Sequence, residues 1–279
     1  MRRQLKALVF LLFMCPAFCL GADTGTGQPL AAPREGAAGE HGKFADKLFP
    51  NEPLYFVGGT NSDWNWTARF QISFKYLLTD KIIRGDDSLF LGYTQTSVWD
   101  LSSSSVPFYD TSYRPSLFYE VADTARIRRK GSLPWLQVGY EHESNGKAGA
   151  DSRSMNIVFV RPCFYFGKPE DTHFRFAPKV WAYVGGGGNS EMEHYRGYAD
   201  LLGILEVGKG SGFFSESQLA VTLRKGAHGH YGSVQADGAY PLGSTFYLHL
   251  QYFNGFGETI LDYNKRETQY RLGIMLITW

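Results

Sequence analysis

Apolar and polar residues alternate with a period of two along many short stretches of this chain. The alternation is clearest at residues 69–76, 244–253 and 268–279. In the first of these stretches the apolar members are Phe70, Ile72, Phe74 and Tyr76. Because successive side chains of a β-strand point to opposite faces, this period predicts strands with one apolar and one polar face.

Twelve such segments follow one another from Leu54 to the C-terminus, separated by glycine, asparagine and aspartate. They span residues 53–60, 65–79, 88–101, 114–124, 134–145, 153–166, 173–185, 196–208, 212–224, 230–240, 244–254 and 268–279. A tilted strand crosses a bilayer in about 9–11 residues, which most of these segments supply. An even strand number is typical of bacterial single-chain barrels. The sequence therefore predicts an all-β fold, a twelve-stranded antiparallel transmembrane β-barrel of the outer membrane.

The first residues favour export. Arg2, Arg3 and Lys6 precede an apolar run from Ala7 to Leu20. This run is typical of a secretory signal peptide and is shorter than the roughly 20 residues of a spanning helix. We expect a signal peptide at 1–21, a flexible N-terminal leader at 22–50 and the barrel domain at 51–279.

Composition supports this class of protein. Aromatic residues make up 16% of the chain, which has 32 glycines and a net charge of +1. No basic stripe runs along any segment, so no nucleic-acid partner is expected. A soluble all-β sandwich or lipocalin-like barrel is the alternative fold, but twelve strands carry more apolar surface than one soluble barrel can enclose.

Candidate chemistry is concentrated in one predicted hairpin. His142 and Ser144 share a strand face, and a turn at 146–151 would lay Asn156 opposite His142. Directly opposed Cβ atoms lie about 4.5–5.5 Å apart. The hairpin therefore predicts a nucleophile, a base and an orienting amide within reach of one another.

The face that carries these three residues is apolar. Val138 and Tyr140 precede His142 on it, and Val158 and Val160 follow Asn156. In a membrane barrel this face contacts lipid. An esterase built there would have lipids as its substrates.

Gln95 is a polar exception on the lipid-facing side of its predicted strand, after Leu91 and Tyr93. An unpaired amide in hydrocarbon is costly, so intramembrane polar groups usually find partners. We expect Gln95 to bond its counterpart across a homodimer. An offset of the strand would explain it equally well.

Three motifs carry a family resemblance. They are His-x-Ser-Asn-Gly at 142–146, Ser-Arg-Ser-x-Asn at 152–156 and Gly-Phe-Gly-Glu-x-x-x-Asp-Tyr-Asn at 255–264. Together they resemble outer-membrane phospholipase A of Gram-negative bacteria. The resemblance extends from about Leu54 to Trp279.

The resemblance implies a hydrolase of phospholipid acyl esters, at sn-1 and sn-2 and in lysophospholipids. It assigns Ser144 as the nucleophile, His142 as the general base and Asn156 as the group that holds the imidazole in the productive tautomer. The Gly146 N–H would contribute to the oxyanion hole.

The resemblance also implies Ca²⁺ and a homodimer in the active state. Lys147 through its carbonyl and Ser152 through its hydroxyl match family ligands, and Ser105 of the opposite subunit matches a third. Because one ligand comes from the partner, activity would depend on dimerisation. Asp151 is a further oxygen donor in the same turn.

Two other functions are also compatible with the sequence. A non-enzymatic porin or structural barrel with a degenerate triad would need no calcium and would have a wide lumen. A soluble secreted esterase would stay in the aqueous phase without detergent.

Overall fold

The computed structural model describes residues 44–83, 85–122, 132–168, 170–185 and 191–279. Within these ranges fourteen strands form a single antiparallel sheet. The expected signal peptide and most of the expected leader lie outside the described residues.

The strands have the following bounds. They are β1 (Leu48–Pro50), β2 (Leu54–Asn61), β3 (Trp66–Asp80), β4 (Asp87–Asp100), β5 (Phe108–Ala122), β6 (Ser132–Ser144), β7 (Ser154–Phe166), β8 (His173–Phe176), β9 (Lys179–Tyr183), β10 (Ala199–Glu206), β11 (Gln218–Lys225), β12 (Gly232–Pro241), β13 (Tyr247–Phe256) and β14 (Arg266–Ile277). One short α-helix, α1 (Met192–Arg196), precedes β10.

These fourteen strands occupy twelve positions around a closed barrel. β1 and β2 both pair with β3, and β8 and β9 both lie between β7 and β10. Pro178 separates β8 from β9, and proline has no N–H for the ladder. Pairing of β14 with β2 closes the sheet. The predicted twelve-stranded antiparallel barrel is confirmed.

Residues 44–50, which the sequence assigns to the leader, contact the barrel in the described structure. Leu48–Pro50 pairs with Phe74–Tyr76 of β3, and the Phe44 ring stacks on Tyr76 at 4.9 Å. Part of the expected leader is therefore strand. Three strand residues are too few for alternation to predict them.

Successive hairpins place alternate connections at opposite ends of the barrel. One end carries the connections at 62–65, 101–107, 145–153, 226–231 and 257–265, together with the described residues 184–185 and 191–198. We call this end the loop end. It brings the candidate catalytic turn, the loop of Ser105 and the third sequence motif together.

The outer wall is apolar, as the alternation predicts. Large aliphatic side chains are exposed around the whole circumference, among them Ile72, Leu91, Leu117, Val138, Val158, Leu201, Leu219, Leu250 and Leu272. Such a belt contacts the acyl chains of a bilayer. Among the described residues, no helix is long and apolar enough to span a membrane.

The inner wall is polar and paired. Ion pairs line the inside of the barrel; three join strands, one joins α1 to β6 and one joins a loop to β14: Lys75–Glu120 at 2.7 Å, Lys179–Glu141 at 2.9 Å, Arg224–Asp200 at 2.6 Å, Arg196–Glu143 at 3.0 Å and Arg271–Glu258 at 2.6 Å. A cavity of about 1530 Å³ extends along the interior, from Asp86, Thr245 and Trp279 at the end away from the loop end to Arg196 and Arg224 near the loop end.

Asp237 is a centre of this interior network. Its carboxylate is 1% exposed and accepts hydrogen bonds from Gln235 Nε2 at 2.8 Å and Gln251 Nε2 at 2.9 Å. His249 Nε2 lies 2.9 Å from the same group. Three side chains on β12 and β13 therefore depend on the carboxylate of Asp237 for a hydrogen bond.

We expect Asp237→Ala to destabilise the folded barrel by about 3–5 kcal/mol, because it leaves buried donors without an acceptor. The midpoint of urea unfolding, followed by the gel mobility of folded and unfolded protein, measures this. Asp237→Asn keeps one acceptor oxygen and should lose less. Asp63→Ala on an exposed loop is the control, and an unchanged midpoint for Asp237→Ala would contradict the expectation.

Candidate functional site

The β6–β7 hairpin brings the predicted catalytic residues together. In its register, His142 lies directly opposite Asn156, and Ser144 lies opposite Ser154. His142 Nδ1 is 2.8 Å from Asn156 Oδ1. The pairing expected from the spacing in the sequence is the pairing in the structure.

Ser144 is the last residue of β6 and lies on the same half-buried face as His142. On its other side it pairs with Tyr113 of β5. Within the described chain no hydrogen bond joins Ser144 to His142. Catalytic hydrogen bonds are often long without substrate and tighten in the reacting complex.

Tyr140 is a site residue that the sequence pattern identifies only as lipid-facing. Its hydroxyl donates a hydrogen bond to Asn156 Oδ1 at 2.6 Å. The signal available in the sequence was its period-two spacing from His142, which places both side chains on one face. The Asn156 oxygen thus lies between two polar groups.

Asn145 closes the turn that follows Ser144. Its side chain is buried; Oδ1 accepts from the N–H groups of Lys147 at 3.3 Å and Arg153 at 3.0 Å, and Nδ2 donates to the Asp151 carbonyl at 2.9 Å. Asparagine often shapes turns in this way, by bonding to nearby backbone groups. One amide therefore ties both arms of the turn.

Asp110 connects this turn to the loop between β13 and β14. One carboxylate oxygen accepts from the Leu261 N–H at 2.9 Å, and the other lies 3.4 Å from Asn145 Nδ2. The neighbouring Tyr109 hydroxyl bonds to Asp262. The third sequence motif is thereby joined to the hairpin that carries the candidate catalytic residues.

Gly146 has a backbone conformation that favours glycine, with φ of +66°. A Cβ at this position would lie 3.3 Å from Tyr113 Cε2. In the described part of the chain its N–H makes no hydrogen bond. A free, exposed N–H next to Ser144 suits an oxyanion donor.

The expected calcium ligands Lys147 and Ser152 lie in the same turn. The Lys147 ammonium is directed away and donates to the Tyr109 carbonyl at 2.7 Å. The Arg153 guanidinium donates hydrogen bonds to the carbonyls of Ala150 at 2.7 Å and Ser152 at 2.9 Å. The Lys147 carbonyl and Ser152 hydroxyl accept no hydrogen bond from described residues, so both oxygens fit a hard cation.

No three His, Cys, Asp or Glu side chains gather as a metal site in the parts of the chain that the structure describes. The candidate ligands are oxygens of another kind, backbone carbonyls and a hydroxyl. Ca²⁺ accepts both.

Ser105 lies in the loop between β4 and β5, at the same end of the barrel. It has a positive φ of +69°, followed by +46° at Val106. The Asp100 carboxylate accepts from the N–H groups of Ser102 at 2.9 Å and Ser103 at 3.1 Å, which fixes the start of the loop. Ser105 itself is exposed, as a residue contributed to a partner would be.

Gln95 has two polar neighbours on its own strand. Tyr93 donates to its Oε1 at 2.9 Å, and its Nε2 donates to Ser97 Oγ at 3.2 Å. It pairs in register with Ile72 and Tyr113 on the adjoining strands. Its contact across a dimer stays a prediction.

Known proteins are similar to this chain in sequence and in fold. Residues 52–276 match the family model for phospholipase A1. Phospholipase A1 of Escherichia coli K12 is 32% identical over 250 residues, which cover 82% of this chain and 81% of that protein. The Salmonella typhimurium enzyme is 29% identical over the same coverage.

Solved structures agree. Outer membrane phospholipase A from Escherichia coli superposes with a TM-score of 0.75 at 28% identity, covering 83% of this chain and 99% of that one. The Salmonella typhi outer membrane phospholipase, crystallised as a dimer with bound calcium, gives 0.74 at 27% identity, covering 83% and 92%. From the matched family model, the relatives and the common barrel, we conclude that the chain belongs to the phospholipase A1 family of ester-hydrolysing enzymes in the outer membrane.

Proposed function

We propose that this barrel hydrolyses the acyl esters of membrane phospholipids through Ser144, His142 and Asn156. The observation that carries the proposal is the 2.8 Å contact between His142 Nδ1 and Asn156 Oδ1 on the lipid-facing wall. His142, which would act as the base, lies on the strand that ends at Ser144, and Asn156, its orienting acceptor, lies opposite it on β7.

The steps follow the logic of a serine hydrolase triad. Asn156 accepts the Nδ1–H of His142, which leaves Nε2 unprotonated as the base. Ser144 Oγ attacks the ester carbonyl carbon while its proton moves to Nε2. The C–O bond then breaks, the lysophospholipid alkoxide takes this proton, and the acyl group remains on Ser144. A water that gives a proton to Nε2 then attacks the acyl carbonyl carbon, the bond to Ser144 Oγ breaks, and Oγ takes the proton back from Nε2, which releases the fatty acid.

An amide suits the third position at this site. A carboxylate beside hydrocarbon would add a buried charge, whereas asparagine accepts the imidazole N–H and stays neutral. The carboxylates of Glu141 and Glu143 point into the barrel, where Lys179 and Arg196 pair with them. They take no part in the chemistry.

The developing oxyanion would be met by the Gly146 N–H. The Lys147 carbonyl and Ser152 hydroxyl of one protomer, with the partner subunit's Ser105, would hold Ca²⁺. When bound, the cation supplies positive charge near the oxyanion and polarises a coordinated water. The Salmonella typhi relative was crystallised with calcium, which supports this assignment.

The active form would be a homodimer. The same relative is a dimer, and Gln95 supplies a polar group on the lipid-facing wall that a second copy can bond. A site completed by the partner's Ser105 is inactive in the monomer. We propose hydrolysis at both sn-1 and sn-2 esters and of lysophospholipids, since the open outer face leaves room for either chain.

Ser144→Ala should lower fatty-acid release from phospholipid–detergent micelles by at least about a thousandfold, because it removes the nucleophile. A calcium chelator should abolish wild-type release as well. Ser211→Ala, in the connection between β10 and β11 at the other end of the barrel, is the matched control. Release that persists in Ser144→Ala would remove the triad, and chelator-resistant release would remove the calcium assignment.

Asn145→Ala should raise the calcium concentration for half-maximal activity by about tenfold, since the turn loses the bonds that hold its two arms. Titrating activity with calcium measures this shift. Asn65→Ala, in the exposed loop between β2 and β3, serves as the control. A calcium curve identical to wild type would mean that the turn keeps its shape without Asn145.

Gln95→Ala should weaken the calcium-loaded dimer by about 3–20-fold in Kd, the range measured for polar contacts between membrane segments. Energy transfer between labelled protomers in detergent follows the association. Leu250→Ala removes a lipid-facing side chain elsewhere and should leave association unchanged. Equal association of both variants would dismiss Gln95 as a dimer contact.

A further inference from the structure

The Asn156 side-chain oxygen is shared by two groups of the same strand. Tyr140 Oη lies 2.6 Å from it and His142 Nδ1 lies 2.8 Å from it. An amide oxygen has two lone pairs, so it can accept both hydrogen bonds. The catalytic description uses only the contact with His142.

An amide brings a difficulty that a carboxylate does not. Its two ends have nearly the same shape, but one accepts and the other donates. If Asn156 Nδ2 faced His142, it would donate to Nδ1, and the imidazole proton would move to Nε2. Nε2 could then no longer take the proton of Ser144. A Ser-His-Asn site therefore needs something that selects the orientation of the amide.

Tyr140 is placed to make that selection. It lies on the lipid-facing wall, where its neighbours in register are Leu117 on β5 and Val158 on β7. All three side chains are exposed on this surface. Aliphatic neighbours and acyl chains offer no acceptor, so the tyrosine hydroxyl proton depends on the acceptor that Asn156 provides.

The two amide orientations differ for this hydroxyl. With Oδ1 inward, the Tyr140 O–H donates to it, and both donors are satisfied. With Nδ2 inward, Tyr140 can only accept, and its own proton has no acceptor. A donor without an acceptor in an apolar environment is disfavoured. The hydroxyl thus favours the orientation in which Oδ1 also accepts from His142.

We propose that Tyr140 is a positioning residue that holds the Asn156 amide with its oxygen toward His142, and thereby keeps the imidazole in its productive tautomer. This inference rests on the proposed triad. It assigns to a lipid-facing tyrosine a part in the hydrolysis beyond anchoring the wall in the bilayer.

The first test is Tyr140→Phe, which keeps the ring and removes the hydroxyl. We expect kcat to fall about tenfold to a hundredfold, with KM for micellar phospholipid within about twofold of wild type, because substrate contacts are unchanged. Tyr270→Phe, on the lipid-facing wall away from the site, should keep both constants. A kcat for Tyr140→Phe equal to that of Tyr270→Phe would overturn the inference.

The decisive comparison uses Asn156→Asp, because a carboxylate has acceptors at both ends and no wrong orientation. In this background, adding Tyr140→Phe should change kcat by less than about twofold. A role in packing or bilayer anchoring would produce the same loss in both backgrounds. Equal losses in this double-mutant cycle would therefore reject the positioning role.

A spectroscopic readout does not depend on turnover. In protein labelled with ¹⁵N-histidine, the His142 ring nitrogens report which one carries the proton. We expect the Nδ1–H tautomer alone in wild type and a mixture with the Nε2–H tautomer in Tyr140→Phe. An unmixed Nδ1–H tautomer in the variant would contradict the proposal.

Failure of the inference and failure of the proposed function are distinguishable. If Ser144→Ala is inactive while Tyr140→Phe matches wild type, the triad stands and the positioning role falls. If Ser144→Ala retains activity, the triad itself falls. Folding is checked in each variant by gel mobility.

Discussion

Hydrocarbon offers no hydrogen-bonding partner, so every backbone amide in the bilayer has to bond within the chain. A closed antiparallel ladder meets this constraint, and the remaining features of the molecule depend on it. The same ladder that satisfies β6 and β7 sets His142 opposite Asn156. The geometry of the proposed catalytic pair is thus set by the backbone pairing that a strand in lipid requires, and side-chain contacts only refine it.

Strand β6 carries polar side chains on both its inner and its outer face, and the two sets have different roles. Inside the barrel, Glu141 bonds to Lys179 at 2.9 Å, and Glu143 bonds to Arg196 at 3.0 Å and to Ser112 Oγ at 2.7 Å. These pairs hold the strand from the lumen. His142 and Ser144 alternate with these residues and lie on the outer face, so a strand secured on one face presents the proposed catalytic groups on the other.

Local sequence patterns were sufficient for the barrel and for the hairpin register. Alternation identified twelve strand positions, and the spacing from His142 to Asn156 located the turn. The contacts of Asp110 were not predictable, because Leu261 lies 151 positions away and no periodic signal links them. The role of Asn145 in the turn was also not predictable, since its partners are backbone groups, which every residue type supplies. The second donor to the Asn156 oxygen was not predictable for a similar reason. In the sequence, Tyr140 is indistinguishable from the other aromatic residues of the outer wall.

The seam between β14 and β2 joins the last strand of the barrel to the first complete one. Pairings between residues so far apart in the chain form late, because the loop that they close is nearly the entire domain. Until then both strands present open edges that can pair with other chains. The whole chain must therefore reach the membrane, with its open strand edges kept from other chains, before the barrel can close there.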